Sequence, residues 1–214
     1  MYLLFDLDDT LYTRASGLFL EVRDRIARWT SEALDISLEE AKALRREYYR
    51  TYGTTMRGLL KHYSHVDIDD YLDAVHQVDV NRYLAPDPAL DAMFGRLETR
   101  KAIFTNAIAD WAERILACLD VREHFELIID VRATGYESKP KPEAYERALA
   151  LLEVPGEACV LVDDHLANLQ GAAAFGMRTV LVDQEPTSRN GVDFVVSNVL
   201  EAEPILQKLI RSEA

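Results

Sequence analysis

Five short stretches of the chain are apolar almost end to end instead of alternating: residues 2–7, 101–105, 125–130, 159–163 and 178–182, with a weaker sixth at 193–196. Leu, Ile, Val and Phe dominate them. A strand exposed on one face alternates apolar and polar residues. A strand covered on both faces does not, and this pattern belongs to parallel sheets. The stretches between them, from residue 100 onward, carry helical spacing. Ile108, Trp111, Ile115 and Leu119 form one stripe over 107–119; Tyr145, Ala148, Leu149 and Leu152 form another over 142–152. Residues 166–175 and 199–211 supply two more helices. Strand–helix alternation of this kind predicts right-handed crossovers and an α/β fold built on a doubly wound parallel sheet.

The first gap breaks the rhythm. A single crossover helix with its loops needs roughly 10–25 residues, yet the first two strands are separated by residues 8–100. The excess reads as nearly all helix. Leu18, Val22, Ile26, Trp29 and Ala33 form one apolar stripe. Ser37 with Glu40 has the spacing of a capping box that opens a helix through Tyr49. Helical patterns follow over 54–63 and 67–78, and Asp87–Pro88 reads as an N-cap and first-turn proline. The expected organisation is a core of residues 1–14 and 86–214 with a helical insertion at 15–85. A chain of 214 residues suits that plan.

Composition narrows the partners. Lys and Arg number 24 against 37 Asp and Glu, a net charge of −13. That balance argues against a nucleic-acid polymer or an anionic membrane surface, but not against a small anion beside a bound metal. No run approaches the roughly 18 apolar residues of a membrane span. The opening Met-Tyr-Leu-Leu-Phe-Asp lacks the basic start of a signal peptide. Cys118 and Cys159 are too few for a disulfide framework or a four-ligand zinc site and read as buried small hydrophobes. The expected compartment is the cytoplasm.

Four segments carry chemistry. The first strand ends in Asp6-Leu-Asp8-Asp9-Thr10. Residues two apart on an extended segment face one side, so Asp6 and Asp8 can share a site at the strand's carboxyl end. An acidic turn would look the same, but a calcium loop would not: counted from Asp6, its glycine position is Leu11 and its terminal glutamate position is Gly17. The fourth strand ends in Asp163-Asp164, with Asn168 one helical turn on. Two acidic strand ends side by side repel, which calls for a cation and suggests Mg²⁺ among oxygen ligands. Asp164 also suits a helix N-cap. Thr105-Asn106 closes the second strand and offers a hydroxyl and backbone N–H groups for an anion, or simply another N-cap. Lys139, between Ser138 and Pro140 in the loop after the third strand, can neutralise a phosphate at the same edge.

The order DxDxT, TN, KP, DD along the chain resembles the haloacid dehalogenase superfamily of phosphohydrolases. The resemblance implies a sheet of order 5-4-1-2-3 with strands one and four adjacent, and it makes the insertion a helical cap. It implies that Asp6 is the nucleophile forming an aspartyl-phosphate, and that Asp8 is the general acid and then the base. It further implies that Thr105 and Lys139 hold the phosphoryl group. Asp6, Asp163 and the backbone carbonyl of Asp8 would bind Mg²⁺, with Asp164 and Thr10 in support. The superfamily's dehalogenases lack an acid two residues after the nucleophile, so Asp8 favours phosphate chemistry. A response-regulator receiver domain uses similar groups in a different order and without a cap. A sugar-phosphate or other small-metabolite phosphatase, a phosphotransferase or a mutase could be built on the same scaffold, and so could a binding protein without catalysis.

Within the insertion, Tyr48-Tyr49-x-x-Tyr52-Gly53, Asp70-Tyr71, Val75-His76 and Leu84-x-Pro86-Asp87 are similar to the pyrimidine 5′-nucleotidase branch. That resemblance implies a small phosphorylated metabolite such as UMP or CMP as substrate. Tyr48 and Tyr52 share a helix face, where they either stack on a base or pack the insertion. His62, His76 and His165 read as structural hydrogen-bonding groups.

Overall fold

The computed structural model describes residues 1–183 and 190–213; residues 184–189 and 214, part of the expected core, lie outside the described residues. Six strands form one sheet: β1 (Tyr2–Phe5), β2 (Arg100–Phe104), β3 (Leu127–Ile129), β4 (Cys159–Asp163), β5 (Arg178–Val182) and β6 (Phe194–Val196). Their order is β3-β2-β1-β4-β5-β6, and every pairing is parallel. The six apolar stretches are therefore the six strands, and the expected order is met with β6 added at the edge.

The lack of alternation has the expected cause. Leu3 and Phe5 of β1 point into one apolar cluster, Tyr2 and Leu4 into the other. The first cluster holds α5 (Pro88–Arg96) and α6 (Ala109–Leu119); the second holds α7 (Pro142–Leu152) and α8 (Leu166–Ala173). Phe5 meets Phe94 and Phe125 edge to face, with ring centroids 5.1 and 6.0 Å away. Each such large apolar side chain taken from water contributes roughly 1.5–3 kcal/mol. A last helix, α9 (Glu203–Glu213), follows a 3₁₀ turn at Val199–Ala202, so the pattern at 199–211 splits into two elements.

Four α-helices precede α5 in the interval between β1 and β2: α1 (Leu18–Leu34), α2 (Leu38–Tyr52), α3 (Thr55–His62) and α4 (Ile68–Val75). They pack mainly on one another, α1 on α2 and α4, and α2 on α3. The Ser37–Glu40 capping box forms in full. Asp87 accepts from the N–H groups of Ala89 and Leu90 ahead of Pro88. Cys159 is buried, but Cys118 is only half-buried, because it lies beside the buried stripe of α6 rather than on it. No helix among the described residues is long and apolar enough to cross a membrane.

Candidate active site

The parallel register places the chemistry. Phe5 pairs with Val162 on one side and Ile103 on the other. One position further, the Asp6 N–H donates to Val162 O (2.9 Å), and the Thr105 N–H donates to Ile129 O (3.0 Å). Asp6, Asp163 and Thr105 thus emerge from adjacent strands at one sheet edge, where open α/β sheets bind ligands.

Lys139 joins them. Its Nζ donates to Asp6 Oδ1 (2.9 Å), Asp163 Oδ2 (2.7 Å) and Phe104 O (2.6 Å). Lys139 and Asp163 are fully buried, and Asp6 is 8% exposed, on the cleft side. A charge so deep is tolerable only when paired and hydrogen-bonded. Burial alone would lower the Lys139 pKa, but Asp163 and Asp6 hold it above its ordinary value. Burial drives both carboxyls up, and Lys139 pulls both back. The cation demanded by two acidic strand ends is thus partly supplied by the chain itself.

The expected supports fall into place around this trio. Asn168 Nδ2 donates to both Asp163 oxygens (3.0 and 3.1 Å), and the His165 N–H donates to Asp163 Oδ1 (2.8 Å). The Thr10 hydroxyl donates to Asp6 Oδ2 (3.2 Å) and accepts from the Asp164 N–H (3.0 Å). Asp8 lies in the turn after β1. There Asp9 takes the left-handed conformation (φ 59°), and the Leu11 N–H returns to Leu7 O. Asp8 Oδ1 accepts from the Tyr12 hydroxyl and from Trp111 Nε1. Burial pushes the Asp8 carboxyl up to about 7, with those two donors opposing the rise. It is therefore a carboxyl that holds a proton close to neutrality.

Several expected roles change. Asn106 does not aim its side chain at an anion. Its amide clamps the neighbouring loop, donating to Lys139 O (3.0 Å) and accepting from the Lys139 N–H (2.8 Å). The Ala109 N–H in the first turn of α6 is taken by Asp130 Oδ2 (2.8 Å), so that helix end serves an internal carboxylate. Thr105 Oγ1 accepts from the Ala107 N–H (3.0 Å) and still borders the cleft. Asp164 is not an N-cap. It pairs with Arg14 (2.6 Å), which also reaches Asp9 (3.2 Å).

The largest correction concerns the tyrosines. Tyr48 is buried at 5% exposure, stacked on the His62 ring (5.4 Å between centroids) and edge-on to Tyr52. The Tyr52 hydroxyl pairs with His62 Nε2 (2.7 Å). Both pack α2 against α3, and neither lines the cleft. Tyr49, one residue on and so about 100° around the helix, does line it.

The cleft has a volume of about 560 Å³. Its floor holds Asp6, Asp8, Thr105 and Asp164; its far wall holds Phe19, Val22, Tyr49, Tyr71 and Val75. Sequence reasoning missed Tyr12, Trp111 and Arg14. Tyr12 alone had a local cue, four residues beyond Asp8 in the same turn.

Residues 1–176 match the family described as haloacid dehalogenase-like hydrolase. The chain belongs to that family. Among curated relatives, a glyceraldehyde 3-phosphate phosphatase of Methanopyrus kandleri is 29% identical, with 97% of each chain covered. Phosphate metabolism protein 8 of Saccharomyces cerevisiae is 26% identical over 83% of this chain and 60% of its own length. The chain thus spans less than two thirds of that relative. A HAD phosphatase from Thermococcus onnurineus superposes with a TM-score of 0.65 at 19% identity, covering 96% of this chain and 97% of that one. A HAD-hydrolase from Bacillus subtilis bound to magnesium gives 0.61 at 19% identity, with 96% and 97% covered. At those identities the two structures speak for the fold alone.

Proposed function

We propose that this protein is a Mg²⁺-dependent phosphomonoesterase acting through an aspartyl-phosphate on Asp6. The observation that carries the reading is the Lys139 ammonium bridging Asp6 and Asp163 at the ends of two adjacent strands, with Asp8 beside them at the cleft. Phosphoryl transfer asks chiefly for positioning and charge neutralisation.

Asp6, Asp163 and Asp164 present carboxylate oxygens within 4.8 Å of one another. That all-oxygen set suits a hard divalent cation. Asp6, Asp163 and the Asp8 carbonyl would hold Mg²⁺, with Asp164 in support; when bound, it neutralises charge on the phosphoryl oxygens. The Asp6 carboxylate attacks phosphorus, forming its own P–O bond as the bond to the leaving oxygen breaks. Asp8 gives its proton to that oxygen. In the second half, Asp8 takes a proton from the attacking water, inorganic phosphate leaves, and Asp6 is restored. Thr105 faces the phosphoryl oxygens, Lys139 holds the Asp6 and Asp163 carboxylates together and offsets their charge, and Asn106 fixes the loop that carries Lys139.

The helices of residues 15–85 act as a cap that selects substrate. The matches to glyceraldehyde 3-phosphate phosphatases favour a small sugar phosphate or related metabolite. A pyrimidine nucleoside monophosphate is the second reading, resting now on Tyr49 and Tyr71 at the cleft instead of Tyr48 and Tyr52. The acidic composition suits a cytoplasmic enzyme. A panel of sugar phosphates, UMP, CMP, AMP and GMP tests all of this. Phosphate release that needs Mg²⁺ is expected, fastest on the sugar phosphates. UMP and CMP turning over well ahead of the purine nucleotides and the sugars would move the assignment to the second reading. No release from any phosphomonoester would end the proposal.

A further inference from the structure

Most arginines described in this acidic protein are paired with carboxylates, among them Arg14, Arg57, Arg96 and Arg132. Arg23 and Arg45 are not: no carboxylate among the described residues lies within ion-pair distance of either, and neither side chain makes a hydrogen bond. They are also not scattered. Arg23 shares a face of α1 with Phe19, Val22 and Ile26, and Arg45 shares a face of α2 with Tyr49, and all six line the same cleft as Asp6 and Thr105. A shallower depression beside it is walled by Arg23, Arg45, Arg46 and Arg50, with Ala43 and one carboxylate, Glu47.

Two guanidinium groups on neighbouring helices repel; Arg23 is exposed and its charge reaches Asp9, while the half-buried Arg45 loses hydration. Burial and the neighbouring Arg23 and Arg46 charges weaken its hold on its proton, with Asp24 too far to pair. Such an arrangement is unfavourable in the empty cleft and becomes favourable when an anion enters between the two. The transferred phosphoryl group is not that anion, because in this reading its place is on the floor, beside Asp6 and Thr105. Phe19, Val22 and Val75 add apolar lining to the same cleft.

We propose that Arg23 and Arg45 form an anion subsite on the cap wall of the cleft, so that the preferred substrate is a phosphomonoester with a second anionic group, a carboxylate or a second phosphate, beyond a short apolar spacer. This rests on the phosphomonoesterase reading and names the substrate class within it. A guanidinium fork is well matched to either anion.

The test is a matched pair of aryl phosphates, 4-carboxyphenyl phosphate and the neutral, nearly isosteric 4-carbamoylphenyl phosphate, with 4-phosphonophenyl phosphate as a third arm. In the wild-type protein, kcat/KM is expected to favour the carboxylate over the amide by about tenfold, the scale of one charge-assisted hydrogen bond. The gain should lie mainly in KM and shrink as salt is added. In Arg23→Met and Arg45→Met, the carboxylate-to-amide ratio should fall toward one. The phosphonate arm tells which anion the subsite prefers. A wild-type ratio near one, or a ratio that survives both substitutions, overturns the subsite. If both variants fail to fold, the wild-type ratio and its salt dependence still decide. Equal losses on the charged and neutral substrates in the variants would show that the arginines only steer phosphate, which also overturns it. Failure to hydrolyse any of the three would instead bring down the phosphomonoesterase reading.

Discussion

At the carboxyl end of the sheet, Asp6 and Asp163 lie side by side because β1 and β4 pair in parallel with Phe5 opposite Val162. Across the cleft, Phe19, Arg23, Arg45 and Tyr49 meet only through the rotation of α1 and α2 about their own axes. The two walls also differ in how tightly they are tied. On the floor, Lys139, Asn168, Thr10 and Asn106 each spend their polar atoms on Asp6, on Asp163 or on the loop beside them. On the helical wall, Arg23 and Arg45 have no such partners. One region is built to hold a fixed constellation, the other to accept something that arrives.

Three experiments press on that contrast. The largest effect belongs to the floor. Asp6→Asn should lower kcat by at least ~10³-fold, because the variant retains the hydrogen-bonding shape and loses the proposed nucleophile. Its fold should survive, since Asp163 still pairs with Lys139. Near-normal turnover would detach the chemistry from the sheet edge.

The next concerns His76 at the end of α4. Its Nδ1–H donates to Leu72 O (2.7 Å), its ring leans on Trp111, and Arg114, Arg132 and Asp73 are the charges around it. Burial pushes its pKa down from 6.5 to about 4. Between those values the unfolded chain binds the proton and the folded chain does not, so stability is held above pH 6.5 and drains away as pH falls toward 4. The loss attributable to this residue is on the order of 3 kcal/mol. Denaturant titrations from pH 7 to 4 should show a flatter decline in His76→Gln than in the wild type. Parallel curves would place the acid sensitivity elsewhere, the buried carboxyls of the floor first.

The smallest lies where the two walls touch. Gly53 closes α2 at φ 86°, and a Cβ there would lie 2.8 Å from Pro140 Cδ and 3.2 Å from Lys139 O. Gly53→Ala should cost about 1–3 kcal/mol and lower kcat/KM by displacing the Lys139 loop. Gly95→Ala on α5 is the contrast, since its Cβ meets only His124 at 3.8 Å and should change stability by less than about 1 kcal/mol. Equal effects in thermal melts and activity assays would mean that Gly53 is no special point of contact.

The same contrast explains what could be read from the amino acids. Apolar runs ending in Asp6 and Asp163 state their own position, because a strand end in a parallel sheet has only one edge to reach. Asn168 was legible for a similar reason, one helical turn from Asp164. Tyr48 and Tyr52 stayed open between substrate and packing because a spacing of four fixes a shared face without saying where that face points, and here it points at α3. Gly58 decides it: a Cβ there would lie 2.1 Å from the Tyr48 ring, so the ring occupies space that only glycine leaves open. Asn106 was misread because an amide suits a backbone as well as an anion. Arg14, exposed and 150 residues from Asp164, left no local trace.

Covalent capture at Asp6 tests the central claim most directly. Protein quenched during turnover of a phosphomonoester and treated with borohydride should yield, in its N-terminal tryptic peptide, homoserine in place of Asp6, the reduction product of an acyl phosphate. An unaltered Asp6 in protein that is releasing phosphate, or the same conversion found at another carboxylate, would contradict the account.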